Sequence, residues 1–92
     1  MPIFHLHMFT SHGLVPDHEG AAFPDLAAAR KESVRDALSL LSAEVLSGEL
    51  NLGQQIQIHS ETGQHLATVQ FDEVVRITPA GSDQTGAPGR FL

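Results

Sequence analysis

The segment from Asp25 to Gly48 constrains this chain most, because it is the one stretch whose pattern predicts a helix of substantial length. Asp25 can accept hydrogen bonds from the first free backbone N–H groups, and Gly48 can take the left-handed conformation that ends a helix. Apolar residues recur at three- and four-residue spacing along one stripe of it: Leu26, Val34, Ala37, Leu38, Leu41 and Val45. A sheet must cover this stripe, so Leu38→Asp is expected to unfold the domain by burying an unpaired charge.

Strands are predicted on both sides of the helix, where apolar and polar residues alternate. In residues 3–9, Phe4, Leu6 and Met8 are expected to face the core, and in residues 54–60, Ile56 and Ile58 do so. The turn chemistry of residues 61–64 and the β character of 66–71 then predict a hairpin.

Three further segments have weaker patterns. A short strand at 20–23 is expected to pair with the first strand, whereas Pro16 opposes regular structure and predicts an irregular connection over 14–20. Residues 72–77 fit either a bent strand or one helical turn with Asp72 as its N-cap.

These elements sum to an α+β fold, β-β-α-β-β, with one long helix packed on a small, mainly antiparallel sheet. Residues 1–78 are expected to form a single domain. Residues 79–92 are rich in Pro, Gly, Ala, Ser and Thr without any period, and are expected to form a disordered tail.

Composition excludes several classes of function. The 92 residues include no cysteine, which removes disulfides, zinc–thiolate sites and cysteine nucleophiles. Eleven acidic and five basic side chains give a net charge of −6, which opposes binding to nucleic acid. The N-terminus lacks a basic start followed by an apolar run, and no stretch has the length of a membrane span, so the cytoplasm is expected and membrane association is not.

Histidines suggest one kind of site. His5 and His7 are two residues apart on one strand face, which lets two imidazoles converge on one zinc or nickel ion. His12 and His18 follow in the loop, where Asp17 or Glu19 could supply an oxygen ligand. The alternative is that His5 and His7 are ordinary polar residues on the solvent face of an edge strand.

Catalysis is not expected. Asp17 and Glu19 could act as paired carboxylates, but a Pro-Asp-x-Glu-Gly loop is typical of a turn in which Asp accepts from a backbone N–H and Gly takes positive φ. Neither a serine-nucleophile elbow nor a phosphate-binding glycine motif occurs. The few cations in the helix, Arg30, Lys31 and Arg35, alternate with Glu32 and Asp36 and predict a solvated, salt-bridged surface.

Three stretches are distinctive: Gly-Leu-Val-Pro-Asp-His-Glu-Gly at 13–20, Phe-Pro-Asp-Leu-Ala-Ala-Ala-Arg at 23–30 and Leu-Ala-Thr-Val-Gln-Phe at 66–71. They resemble a family of short, uncharacterised bacterial proteins that carry a domain of unknown function. The resemblance spans about residues 1–77, and it implies a fold of this kind and no established activity. Phe-Pro-Asp-Leu before an Ala-rich helix is also similar to antitoxins of the HicB type.

Surplus apolar residues indicate association. Leu40 and Leu46 lie off the helix stripe, and Ile3 and Phe9 lie on the outer face of the sheet. We therefore expect a non-catalytic, protein-binding or self-associating module of a bacterial cytoplasm, most simply a homodimer formed through a sheet edge or face. The alternatives are a divalent-metal-binding protein that uses His5 and His7, and a HicB-like antitoxin or regulator.

Overall fold

The structure, a computed structural model, describes residues 1–76 and confirms the predicted α+β class. Its elements are, in chain order, β1 (Ile3–Thr10), β2 (Gly13–Val15), β3 (Ala21–Ala22), α1 (Leu26–Leu46), β4 (Gln55–Ser60), β5 (His65–Gln70) and α2 (Phe71–Val74). The predicted tail over 79–92 and the domain boundary at 78 lie outside the described residues.

The strands form one antiparallel sheet in the order β2-β1-β4-β5, and β3 also pairs with β1. One face of this sheet forms the core with α1. Phe4, Ile56, Ile58 and Val69 are buried there, and Leu6 and Met8 pack against them, as their alternation predicts.

The β1–β2 hairpin was not predicted. β2 pairs Gly13, Leu14 and Val15 with Thr10, Phe9 and Met8, so the prediction of an irregular connection is wrong for residues 13–15. Thr10 makes the tight turn possible, because its hydroxyl donates to Gly13 O at 2.9 Å and accepts from His12 N–H at 3.0 Å. The predicted strand near residues 20–23 is confirmed by β3.

Both predicted ends of α1 are confirmed. The Asp25 carboxylate accepts from Ala28 N–H at 2.9 Å. At the other end Gly48 has φ of +91°, and the N–H groups of Gly48 and Glu49 donate to Val45 O and Glu44 O at 3.0 and 2.9 Å. These two bonds form a Schellman motif.

The face of α1 that meets the sheet overlaps the predicted stripe in part: Ala37 and Leu41 are buried as predicted, and Val34 packs against the core. Its buried residues repeat every fourth position and are mostly small: Ala29, Ser33, Ala37 and Leu41. Small side chains allow close approach of helix to sheet, and the Ser33 hydroxyl is satisfied by Ala29 O at 3.0 Å.

Larger residues of the predicted stripe lie on the flanks of this contact. Leu26, Leu38 and Val45 are 37%, 40% and 58% exposed, so their predicted burial is wrong, whereas Leu40, predicted off the stripe, packs against the core. The premise of the expected unfolding by Leu38→Asp, that Leu38 is buried, is therefore wrong, because a charge at this 40% exposed position can reach water. We expect this variant to keep the native circular dichroism spectrum.

A buried amide ties α1 to the sheet. Gln54 is 2% exposed, and its side-chain N–H₂ donates to Glu44 Oε2 and Asn51 O at 3.1 and 2.9 Å. Its side-chain oxygen accepts from Ser11 N–H at 3.1 Å. The β1–β2 turn, the helix C-terminus and the start of β4 therefore meet at one satisfied polar residue.

Of residues 72–77, for which a bent strand and a helical turn were both left open, 72–74 belong to the helical turn α2 and Val75 is already extended. Phe71 is fully buried, and its N–H donates to Gln54 O at 3.0 Å. The N-cap is Gln70, two residues before the predicted Asp72. Ile77 lies outside the described residues. Within residues 1–76, neither helix combines the length and the apolar character needed to cross a membrane.

Candidate functional site

The outer face of the sheet, opposite α1, brings together side chains that alternate with the core residues. β1 contributes His5 and His7, and β4 contributes Gln57 and His59 opposite them. Asp17, in the loop between β2 and β3, closes over this face beside β1.

The Asp17 carboxylate completes the edge of the sheet along β1. β2 pairs with one end of β1 and β3 with the other, and Leu6 N–H lies in the gap between them. Asp17 Oδ2 accepts from Leu6 N–H at 3.1 Å, and Oδ1 accepts from Gly20 N–H at 3.0 Å. One side chain thus supplies the acceptor that a strand would have supplied.

Gly20 is required where the loop returns to β1. Its φ is +72°, and a Cβ there would lie 2.7 Å from Ile3 Cγ2 and 2.9 Å from Phe4 O. The predicted turn, with a carboxylate that accepts from backbone N–H and a glycine at positive φ, is therefore confirmed for Asp17 and Gly20.

The backbone of Asp17 fixes the proton positions of His5 and His7. Asp17 N–H donates to His7 Nδ1 at 3.0 Å, so neutral His7 must carry its proton on Nε2. Asp17 O lies 2.7 Å from His5 Nδ1 and can only accept, so His5 carries its proton on Nδ1. The two rings stack with centroids 6.0 Å apart, in opposite tautomers.

His7 is held neutral by its surroundings. Burial lowers its pKa from the usual 6.5, the nearby His59 and His5 lower it further, and the Asp17 carboxylate opposes the change. Protonation would also place a proton on Nδ1 and break the bond from Asp17 N–H.

Two further histidines join this cluster and were missed from the sequence. His59 lies 4.8 Å from His7 and 5.5 Å from His65, between ring centroids. The alternation of 54–60 placed His59 on the outer face, but only the register that pairs it with His5 brings the rings together.

A groove of about 230 Å³, which we call the histidine groove, opens between these rings and the β4–β5 turn. Its lining comprises His5, His7, Asp17, His18, His59, Ser60, Glu61 and Gly63. His12 lies elsewhere, in a separate groove of about 550 Å³ beside the connection from α1 to β4, together with Glu49 and Leu50.

The predicted metal pair stays a prediction. His5 and His7 do share one face, but His7 offers no free lone pair while it accepts from Asp17 N–H. Among residues 1–76, no three His, Asp or Glu side chains are placed to hold a metal ion, and we assign no metal ligands. The candidate carboxylates do not act as a pair, because both Asp17 oxygens bind backbone N–H groups while Glu19 is exposed.

The predicted basic cluster is a surface feature. Arg30, Lys31 and Arg35 are all exposed. Arg35 approaches Glu32 at 3.9 Å with a side chain that is 76% exposed, as expected of a solvated ion pair of small energetic value.

The opposite edge of the sheet is formed by β5. Phe71 N–H donates to Gln54 O, and alternation along the antiparallel ladder then directs Val69 N–H toward β4 and Thr68 N–H away from it. Within the described part of the chain no strand pairs with this side of β5, which we call the β5 edge.

Comparison with known families gives one match. The model of a domain of unknown function, DUF6894, matches residues 3–72, which spans β1 to the start of α2. The chain belongs to the DUF6894 family. This membership supports the expected resemblance to an uncharacterised family, and it brings no activity with it. No curated protein and no solved structure matches this DUF6894 protein.

Proposed function

We propose that this DUF6894 protein is a non-catalytic module that forms a homodimer through the β5 edge. The observation that carries the proposal is the contrast between the two sheet edges. On the side of β1 that does not face β4, two short strands and the Asp17 carboxylate pair with the backbone. On the outer side of β5, Thr68 N–H and C=O point away from the sheet. Unpaired strand edges invite pairing with another chain.

The composition of β5 supports this choice of surface. Residues 66–70 are Leu-Ala-Thr-Val-Gln, with no proline, lysine or acidic residue to discourage pairing. The one-residue register shift against β4 lies at the start of the strand and leaves Ala67–Gln70 regular. The residues of this part of the edge are therefore regular in register and uncharged.

A twofold axis at Thr68 gives a suitable register for two copies. Antiparallel pairing there sets Thr68 opposite itself, Ala67 opposite Val69, and Leu66 opposite Gln70. Thr–Thr and small apolar pairs are favourable across strands, and no like charges meet. A domain of 92 residues has a limited core, so it gains from such an extension.

Other roles have less support. The Asp17 carboxylate is engaged in the fold, which argues against catalysis, and the exposed cations are few in a chain of charge −6, which argues against nucleic acid. The antitoxin-like hypothesis rests on Phe-Pro-Asp-Leu, but Phe23 packs near Phe4 and Asp25 caps α1, so folding accounts for these residues. A bacterial cytoplasmic location is part of the proposal.

Light scattering coupled to size-exclusion chromatography tests the homodimer at about 50 μM protein. The wild type is expected at twice the chain mass. Thr68→Pro is expected at the monomer mass, because the one backbone N–H that it removes faces away from β4 and toward the proposed partner. Thr68→Val is the matched control, since it also loses the 2.7 Å contact to His65 but keeps the N–H and should remain dimeric.

A monomeric wild type, or a Thr68→Pro protein as dimeric as Thr68→Val, would contradict the proposal. If Thr68→Pro loses the native spectrum, Thr68→Lys replaces it, because a lysine discourages edge pairing without altering the β4–β5 ladder.

A further inference from the structure

The histidine groove concentrates imidazoles in a chain that is otherwise acidic. Four of the six histidines line it, His5, His7, His18 and His59, and His65 lies next to His59. The homodimer proposed above uses the β5 edge and needs none of these rings.

Contacts on three of these rings determine where each can carry protons. His5 donates from Nδ1 to Asp17 O, and His59 donates from Nε2 to Gln57 Oε1 at 3.1 Å. Each can therefore take a second proton on its free nitrogen and keep its contact. His7 cannot, but its Nε2–H is a fixed donor that the contact at Nδ1 leaves free.

The carboxylates around the groove are either bound to backbone N–H groups or exposed to water, so they do not occupy the imidazoles that an anion would contact. Asp17 faces it from the β2–β3 loop, with both carboxylate oxygens already bound to N–H groups. Glu61 lines it from the β4–β5 turn and is exposed, and His18 is an exposed imidazole on the β2–β3 loop. α1 packs on the opposite face of the sheet.

We propose that the histidine groove binds the phosphate group of inorganic phosphate or of a small phosphate monoester, through His5, His7 and His59. A phosphate group is anionic and has three strong acceptor oxygens, which match one fixed N–H donor and two rings that gain an N–H on protonation. His5 and His59 can donate to the phosphate only when their free ring nitrogens carry a proton. The affinity therefore falls with rising pH.

Histidine ring NMR spectra of the full chain provide the test. Inorganic phosphate and glycerol phosphate are titrated separately at about pH 6, at constant ionic strength set with chloride. The resonances of His5, His7 and His59 should shift saturably while His12 stays unchanged, and the affinity should fall at least about tenfold by about pH 8. Saturation by both ligands identifies free phosphate as sufficient, and saturation by glycerol phosphate alone identifies a monoester.

Variants and a cation complete the test. His5→Gln and His59→Gln should each weaken binding at least about tenfold, and His12→Gln should not. Thr68→Pro should bind as the wild type does, so this proposal and the homodimer can fail separately. Uniform shifts of all six histidines, unchanged affinity in both groove variants, or saturation by zinc without any by phosphate would overturn it.

Discussion

The two edges of this small sheet differ in how their outward backbone groups are hydrogen-bonded. Along β1, two short strands cover the ends, and Asp17 accepts from Leu6 N–H in the gap between them. Along β5, Thr68 N–H points outward from a regular, uncharged segment. The loop from Pro16 to Gly20, which carries the most distinctive sequence motif, closes the β1 edge. Within the described residues no strand pairs with the β5 edge, where we propose that two copies associate.

Removal of the Asp17 carboxylate should have the largest effect on stability. Asp17→Ala leaves the N–H groups of Leu6 and Gly20 without their acceptor, and hydrogen bonds to a charged group contribute roughly 1.5–3 kcal/mol each. Because the site is partly exposed to water, we expect a loss of about 2–4 kcal/mol in the free energy of unfolding, measured by urea denaturation. Asp17→Asn keeps one acceptor and should lose less. A change in Asp17→Ala below about 0.5 kcal/mol would show that this edge does not depend on the carboxylate.

Proline substitution compares the two edges directly. Phe23 N–H donates to Pro2 O, and alternation then directs Ala21 N–H toward Phe4 O, so Ala21→Pro removes a ladder bond. We expect Ala21→Pro to cost about 1–3 kcal/mol in urea denaturation, and Thr68→Pro to cost less than about 0.5 kcal/mol at protein concentrations low enough to keep the chain monomeric. Equal losses at both positions would remove the distinction between the edges.

The pH dependence of stability should report the lowered pKa of His7 in the fold. The pKa of His7 in the fold is below its usual 6.5, because of burial and the neighbouring His59 and His5, so the unfolded chain binds the proton more readily. The stabilisation is complete above about pH 6.5 and is lost as the pH falls toward the lowered pKa.

His7→Gln isolates this smaller effect. The glutamine oxygen can still accept from Asp17 N–H but does not titrate. Urea midpoints measured from about pH 7.5 to 5.5 should decline less in His7→Gln than in the wild type, with His12→Gln as the control that keeps the wild-type slope. A wild-type slope in His7→Gln would contradict the role given to His7.

Much of the fold follows from local patterns in the sequence. Alternation placed Phe4, Leu6 and Met8 on the core face, and capping chemistry located both ends of α1. The contact face of α1 followed only in part: Ala37 and Leu41 are buried as predicted, but apolarity ranks Leu38 above Ser33, whereas close packing on the sheet favours the small residue. Local rules fix where elements begin and end more reliably than which side chains meet.

The candidate surfaces depended on long-range register. Asp17 and Gly20 were predicted as turn residues, but the bond from Leu6 N–H joins positions eleven residues apart and requires the pairing of β2 and β3 on either side. His59 reaches His7 only because β4 pairs with β1 at one particular register. A shift of one residue would move these rings to the core face, and no local motif excludes it.

Amide hydrogen exchange of Thr68 and Leu6, followed over a range of protein concentrations, tests the contrast between the edges most directly. Leu6 N–H should be protected equally at every concentration, because its acceptor is within the chain. Thr68 N–H should exchange rapidly in dilute solution and become protected as the concentration rises, while Val69 N–H, directed toward β4, stays protected throughout. Exchange of Thr68 N–H at one rate at all concentrations would contradict association through the β5 edge.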